Sequence, residues 1–455
     1  MNSKFKIVVV ILILAIFPVG CLVGPKYKKP EDTYTTNYRN GIANADTLAS
    51  VVNVKWFDLF NDDVLKGLIN KGLANNYDMK IAMARIEKTR ANLGYSKADF
   101  LPSIGYGAKV NSNEKAFPFS NASASISWEL DFWGKIRHEN RAVQNELLAS
   151  EEGRKVILSN IVSDIAVAYF QLRDYDNRLI IAEKTLESRR KGYEIINQRF
   201  KAGYVSEVDL MQIEQQVAIA EATIPSVKRQ ITNFENTISI LIGQIPGPIE
   251  RGKSNSELQV SNNIPVSIPS IVLKNRPDVN QAERIYMAAN ERIGVAQAMR
   301  FPSFNIAAMA GFANSSVSSL FDGSSYLQNA TAGVTGPIFN FGKNKRRVEI
   351  YRQMAEESRL SYQKTCLVAV AEVEQSLQNV KTYKEEWAAR NKQVIAARKN
   401  LELSNARYFN GYVSYLEVLD IERSLFDAEI SLSQLTQNQL SSMIQLYKAL
   451  GGGWN

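Results

Sequence analysis

The chain writes one phrase twice. RFKAGYVSEVDLMQ occupies 199–212 and RYFNGYVSYLEVLD occupies 407–420, and both hold Gly-Tyr-Val-Ser at a spacing of 208 residues. The same offset pairs Gly134-Lys135 with Gly342-Lys343, Ala220-Glu221 with Ala428-Glu429, and Gly243 with Gly451. Upstream the offset becomes 200, pairing Asp78 with Asp278, Gly94 with Gly294, and Pro102-Ser103 with Pro302-Ser303. The length difference therefore falls between residues 104 and 133 of the first copy. A repeat this long obliges two halves with the same order of parts. We place the first at 62–243 and the second at 270–451, with a linker at 244–269 and a tail at 452–455. A chain of 455 residues exceeds one ordinary core, which agrees with two units or one elongated body.

Within each half the hydrophobic period changes. A helical segment comes first, at about 62–99 and 270–299, and Arg276-Pro277-Asp278 puts a proline where a first helical turn accepts one. Period-two alternation follows. Ile104, Tyr106, Ala108 and Val110, then Ala122, Ala124, Ile126, Trp128, Leu130 and Phe132, alternate with small or polar residues. Phe304, Ile306, Ala308, Ala310 and Phe312 do the same, with a weaker pattern over 327–340. These are two strand pairs, 100–133 and 301–341, each joined by a polar loop. From Gly134 to Ala202 and from Lys343 to Asn410 there is no proline and hardly a glycine. Each stretch predicts a helix of roughly 100 Å. Leu158, Ile161, Ile165, Ala168, Leu172, Tyr175, Leu179, Ala182 and Leu186 step by three and four along the first. Cys366, Ala369, Val373, Ser376, Val380, Tyr383 and Trp387 continue the register in the second, so a coiled-coil seam is expected with Cys366 buried in it. Gly203 and Gly411 then turn the chain into a return helix, which Pro225 should kink in the first copy only.

Four strands are too few for a closed barrel, since about eight is the working minimum. Left open in a bilayer they would expose unpaired backbone groups. Three chains giving four strands each close a twelve-stranded barrel, apolar side to lipid and Ser/Glu/Asp side to water. A soluble sandwich has the same alternation but fits poorly with so few strands among so much helix.

The N-terminus and the composition narrow the function. Lys4 and Lys6 precede an apolar run, Ile7 to Phe17, too short to span a bilayer and suited to a signal peptide over 1–20. Pro18-Val-Gly-Cys21 closes it and resembles a lipobox, which implies a covalent lipid on Cys21; a plain secretory signal with a free thiol is the alternative. With two cysteines and one histidine, His138, neither a disulfide framework nor a transition-metal site is expected. His138 itself is expected at the surface. A formal net charge of +8 is diffuse, its densest run being Lys343-Asn-Lys-Arg-Arg347 without interleaved aromatics, so nucleic-acid binding is not expected. No GxSxG, Walker-type, HExxH or dinucleotide motif occurs, and catalysis is not expected.

Several longer motifs carry a resemblance. They are Cys21 with Gly24-Pro25-Lys-Tyr27-Lys-Lys-Pro30, Trp56-Phe-Asp-Leu-Phe60, Arg276-Pro277-Asp278, Ala289-Asn290, Gly294, Phe301-Pro302-Ser303, Tyr415-Leu416-Glu417-Val418-Leu419-Asp420, and Tyr447-Lys-Ala-Leu-Gly-Gly-Gly-Trp454. Over essentially the whole mature chain the sequence resembles the TolC-like outer-membrane efflux proteins, in the lipoprotein branch that serves tripartite pumps. The resemblance implies a mainly α fold with a small β part: a homotrimer whose β-barrel sits in outer-membrane lipid and whose α-barrel extends into the periplasm. An equatorial region would draw on 21–61, the linker and the C-terminus. It further implies a periplasmic adaptor protein docking at the helix turns, Gly203, Val205 and Ser206 with Gly411, Val413 and Ser414. An inner-membrane transporter, proton-driven in this branch, would supply the energy.

Beyond the second turn, Leu416, Glu417 and Asp420 share a helical face that Arg423 extends. In a trimer the carboxylates would crowd at one constriction and raise each other's pKa. The resemblance makes this the gate, with Leu416 as an apolar plug; a solvated helix face is the plain alternative. The first copy has Val208, Asp209 and Gln212 there. Val413 stands where some relatives carry a latching arginine, while Tyr408 and Asp209 match the closing network. Two other functions stay open: an exit duct for secreted proteins, and a non-conducting coiled-coil lipoprotein of the envelope.

Overall fold

The computed structural model describes residues 22–30, 61–111, 119–258 and 269–452. Cys21, the 1–20 leader, Trp56–Phe60 and Trp454 lie outside the described residues. The elements are α1 (Asp63–Asn75), α2 (Tyr77–Ala98), β1 (Ser103–Asn111), β2 (Phe119–Leu130), α3 (Lys135–Lys201) and α4 (Glu207–Leu241) in the first copy. The second copy holds α5 (Pro269–Asn275), α6 (Pro277–Ala298), β3 (Ser303–Asn314), β4 (Tyr326–Thr335), α7 (Lys343–Phe409) and α8 (Tyr415–Ala449). The duplication is visible in the backbone. All six positive-φ glycines among the described residues fall into pairs 208 apart: 134 with 342, 203 with 411, and 243 with 451. α3 and α7 are both 67 residues long, and α4 and α8 both 35.

Two expectations need correcting. The first helical segment of each copy is split, at Asn76 and at Arg276. The Asn76 carboxamide accepts from the Asp78 and Met79 amides while its own NH2 donates to the Leu241 carbonyl, so it caps one helix and holds another. In the second copy Pro277 disfavours helical geometry in the residue before it. The last strand stops at Thr335, well short of 340, because Gly336-Pro337 follows and proline has no N–H for a ladder. Pro225 leaves α4 unbroken.

The contacts divide the chain into two compact units, and each takes segments from both copies. One holds 84–152 and 280–365 together with the N-terminal segment. Its sheet runs β1-β2-β3-β4, antiparallel throughout. The register aligns Tyr106, Ala124, Ala310 and Gln328 across the sheet, and Ile104, Ile126, Ala308 and Ala330 in the next apolar row. The opposite face carries Ser125, Ser127, Asn305 and Thr331. The apolar face is uncovered: Tyr106 is 96% exposed, Ile104 76% and Val334 62%. β1 and β4 are edge strands with one unpaired side each among the described residues.

The other unit holds 61–83, 153–279 and 366–452. Its core gathers Leu65 and Ile69 of α1, Ile165, Tyr169 and Phe170 of α3, Ile238 of α4, Val373 of α7, and Ile444 and Tyr447 of α8. Cys366, Ala369 and Val373 are fully buried, and Ile161, Ile165, Ala168 and Leu172 nearly so, as the seam requires. An apolar stretch of α3 is long enough to cross a membrane, but 56% of it is buried inside the chain, as a packing helix would be. The linker is tied down as far as Leu258. Tyr169 donates to Asp62 (3.2 Å) and accepts from the Gly252 amide (2.8 Å), while Arg251 reaches Asp176 and Glu235.

Candidate functional site

The two helix tips are built alike. At the first, the Gly203 amide bonds Phe200 O and the Tyr204 amide bonds Arg199 O; at the second, Gly411 bonds Tyr408 O and Tyr412 bonds Arg407 O. This is the Schellman pattern, and it needs the left-handed φ that Gly203 and Gly411 supply (+78° each). Beneath both tips lies one apolar cluster of Ile196, Leu210, Ile213, Tyr408, Val418 and Leu419, against which Val205, Val413 and Tyr415 pack. Val205 and Val413 thus turn partly inward, while Gly203, Ser206, Gly411 and Ser414 are exposed, as are the large side chains of Tyr204 and Tyr412 (82% and 77%). Sequence reasoning missed the two tyrosines; their place after the Schellman glycine was the available signal.

Past the turns the copies differ. Ser206 caps α4 and forms a capping box: its hydroxyl accepts from the Asp209 amide, and the Asp209 carboxylate accepts from the Ser206 amide and hydroxyl. Ser414 caps α8 without any side-chain bond. Glu417, the residue that could have closed the second box, is drawn to Arg407 (3.2 Å) and the Ser404 hydroxyl (3.4 Å). The second tip is therefore the less tied down. Ser206→Ala should cost about 1 kcal/mol of stability and Ser414→Ala nearly nothing, measurable as separate shifts in thermal melting.

Leu416 is half exposed, Asp420 exposed and Glu417 intermediate, on one face of α8. Asp420 pairs with Arg423 at 2.9 Å as Glu417 pairs with Arg407, so each acid carries its own cation. Asp209 serves its capping box. Tyr408 instead accepts a 2.8 Å bond from Arg199, whose guanidinium also lies 4.8 Å from the tyrosine ring centre. Arg199 thus ties α3 to α7 within the chain, a role not read from the sequence.

Deeper along the same helices sits a strained polar set. Arg189 is buried, donating to the Gln216 carbonyl, and burial lowers its pKa against the pull of Glu422 and Asp427. Burial likewise raises the Glu422 carboxyl above the ordinary range, with Ser188 and Arg189 only partly opposing it. One Glu422 oxygen accepts from Ser188 at 3.0 Å and the other has no partner. A raised folded-state value means that folding favours proton uptake by this group: its stability contribution is present at low pH and lost as pH rises through that value. Glu422→Gln should therefore stabilise by on the order of 1 kcal/mol at neutral pH, with the gain shrinking on acidification. Melting curves from pH 7 downward check this.

The N-terminal strap is equally specific. The Val23 amide bonds Trp133 O (3.3 Å), Gly24 sits where a Cβ would strike Gly294 and His138, and Asn290 donates to the Pro25 carbonyl. Tyr27 donates to Glu283 at 2.9 Å, packs on Tyr286, and is raised in pKa by burial first and Glu283 second; Lys29 pairs with the same carboxylate. His138 is not at the surface as expected. It is 3% exposed, its Nδ1 lying 2.6 Å from Glu291, because the strap and Gly294 close over it. The strap leads Leu22 to Gly134 at the foot of the sheet, beside Trp133, Phe132, Phe301 and Phe304. No cluster of three or more potential metal ligands occurs among the described residues.

One unit has an apolar-faced sheet with open edges, and the other has paired long helices ending in two matching turns. The family model for outer membrane efflux protein matches 68–244 and again 268–452, its two starts 200 apart and its two ends 208 apart. The chain belongs to the outer membrane efflux protein family. It is 29% identical over 453 residues to the cation efflux system protein CusC of Escherichia coli O6:H1, covering 97% of both chains. It is 27% identical to the probable outer membrane lipoprotein SilC of Salmonella typhimurium, and 30% identical to the toluene efflux pump outer membrane protein TtgI of Pseudomonas putida; each match covers 96% of both chains. A crystal structure of CusC superposes with a TM-score of 0.85 at 28% identity, covering 95% of this chain and 100% of the other. The protein is thus an outer-membrane efflux channel with the mainly helical, TolC-like fold.

Proposed function

We propose that three copies close a twelve-stranded barrel in the outer membrane and form a passive, gated duct for small solutes delivered by an inner-membrane transporter through a periplasmic adaptor. The carrying observation is the uncovered apolar face of a sheet whose β1 and β4 edges lack partners among the described residues. Pairing β4 of one copy with β1 of the next satisfies both edges at once. The chain has no catalytic role and draws on the transporter, proton-driven in this reading, for energy. The efflux names of CusC and TtgI favour small solutes over secreted proteins. Cys21 carries lipid in this reading, supported by the Val23 amide bonded to Trp133 O beside the sheet. Adaptor contact falls on the two tips, and Leu416, Glu417, Asp420 and Arg423 with Arg199, Asp209 and Tyr408 form the constriction. Purified protein in planar bilayers should give discrete channels, and the Cys21→Ser protein should lose acyl label yet still conduct. Absence of any conductance would favour a structural lipoprotein instead.

A further inference from the structure

The sheet has two free edges, and the duplication says how they meet. The loop that differs in length lies between β1 and β2, so β1 maps onto β3 by 200 residues and β2 onto β4 by 208. Applied to the first hairpin, those offsets turn Ser103 across from Ser127 into Ser303 across from Thr335, the pair that the second hairpin makes. The two hairpins therefore share one register, and the offsets carry strand pairing from copy to copy.

Between the hairpins β2 pairs with β3, setting Ile126 across from Ala308 and Trp128 across from Ile306. The same offsets move β2 onto β4 and β3 back onto β1. These pairs then become Val334 with Ala108 and Gly336 with Tyr106. Their members stand on opposite edges of the sheet, so they meet only between copies. At the foot of the β2–β3 junction Trp133 stacks on Phe301, ring centres 4.5 Å apart. The counterparts of those two residues, Phe341 and Leu101, are exposed (90% and 69%).

Side-chain size supports the same register independently. Tyr106 falls opposite Gly336, Thr335 opposite Gly107, and Lys109 opposite Gly333. A Cβ placed on Gly107 or Gly333 would meet nothing within 4 Å, so both hold room open at an edge, as glycine does where another backbone approaches. Slipping the strands by two residues sets Gly107 against Gly333 and Tyr106 against Val334. Slipping them the other way sets Val110 against Val334 and Tyr106 against Ile338. A slip of one turns the apolar face inward. We propose that β4 of one copy pairs antiparallel with β1 of the next in the register that puts Val334 across from Ala108, with Phe341 laid over the partner's Leu101. This rests on the twelve-stranded barrel proposed above and specifies its seam.

The test is disulfide cross-linking of full-length protein in isolated membranes, oxidised with copper phenanthroline and run on denaturing gels without reductant. Wild type sets the background from its own cysteines. Ala108→Cys/Val334→Cys should give about ten-fold more covalent trimer than Ala108→Cys/Ala332→Cys or Ala108→Cys/Gly336→Cys. The latter pairs sit on the diagonal, about 7–8 Å apart, past the reach of a disulfide. Gly107→Cys/Thr335→Cys reports the same register from the other face, so a failure of one variant to assemble leaves the test standing. A trimer band strongest in either offset pair overturns the register and leaves the barrel. No band in any pair overturns the seam, and planar-bilayer recordings of the same proteins then decide the barrel. Channels mean that it closes through other edges; silence means that the barrel reading fails as well.

Discussion

Channels of the Glu417→Ala/Asp420→Ala protein are expected to conduct several-fold more than wild type and to move their reversal potential in a salt gradient toward the anion side. The reason is the pairing. Arg407 and Arg423 are held by those two carboxylates at 3.2 and 2.9 Å, so in the proposed trimer removing the acids would leave two uncompensated cations per chain at the constriction. Rings of carboxylate admit cations and rings of arginine admit anions. The fold should survive, because exposed ion pairs contribute at most about 1 kcal/mol each and the cluster beneath the tips is untouched. Leu416→Ala separates the second contribution: it removes bulk without charge, so conductance should rise while the reversal potential stays. An unchanged reversal potential in the double variant would place the acids outside the lumen.

What the sequence disclosed and what it hid follow from the range of the interactions involved. The strand pairs and long helices depend on local period and on the absence of proline, so they could be read residue by residue. The duplicate turns could be read because Gly203 and Gly411 answer a local backbone need. The partner of Glu417 could not: Ser414 and Glu417 have the spacing of a capping box, and only the fold brings Arg407 close enough to break it. His138 was misplaced for a similar reason, since its cover comes from Gly24, more than a hundred residues away, and from Gly294. The split at Asn76 depends on a carbonyl at Leu241. For His138 the deciding partners lie across the fold; for Glu417 the partner is ten residues away, around the turn at Gly411, where helical periodicity does not point.

The largest effect on stability is expected at Arg276. It is 7% exposed, and its guanidinium serves three elements: Nη2 lies 2.6 Å from Asp278 and 2.7 Å from Glu372, Nε bonds Asp278, and Nη1 donates to the Ala449 carbonyl at the end of α8. Burial works against its charge, and the bonds to the two carboxylates outweigh that and raise its pKa. One planar group thereby joins the start of α6 to α7 and to the last turn of α8, which the rigid fork of arginine allows and the point charge of lysine does not. Arg276→Ala removes the cation from a buried pair and strands a helix-terminal carbonyl, for a cost of about 3–5 kcal/mol. Its lower end is favoured, because Asp278 and Glu372 keep enough exposure (33% and 49%) to find water. Arg276→Lys should recover part of the loss, since it restores the charge but not all four bonds. Thermal unfolding followed by helical circular dichroism orders the three proteins as wild type, lysine variant, alanine variant. Equal melting of the two variants would mean that the charge contributes nothing and the fork geometry everything.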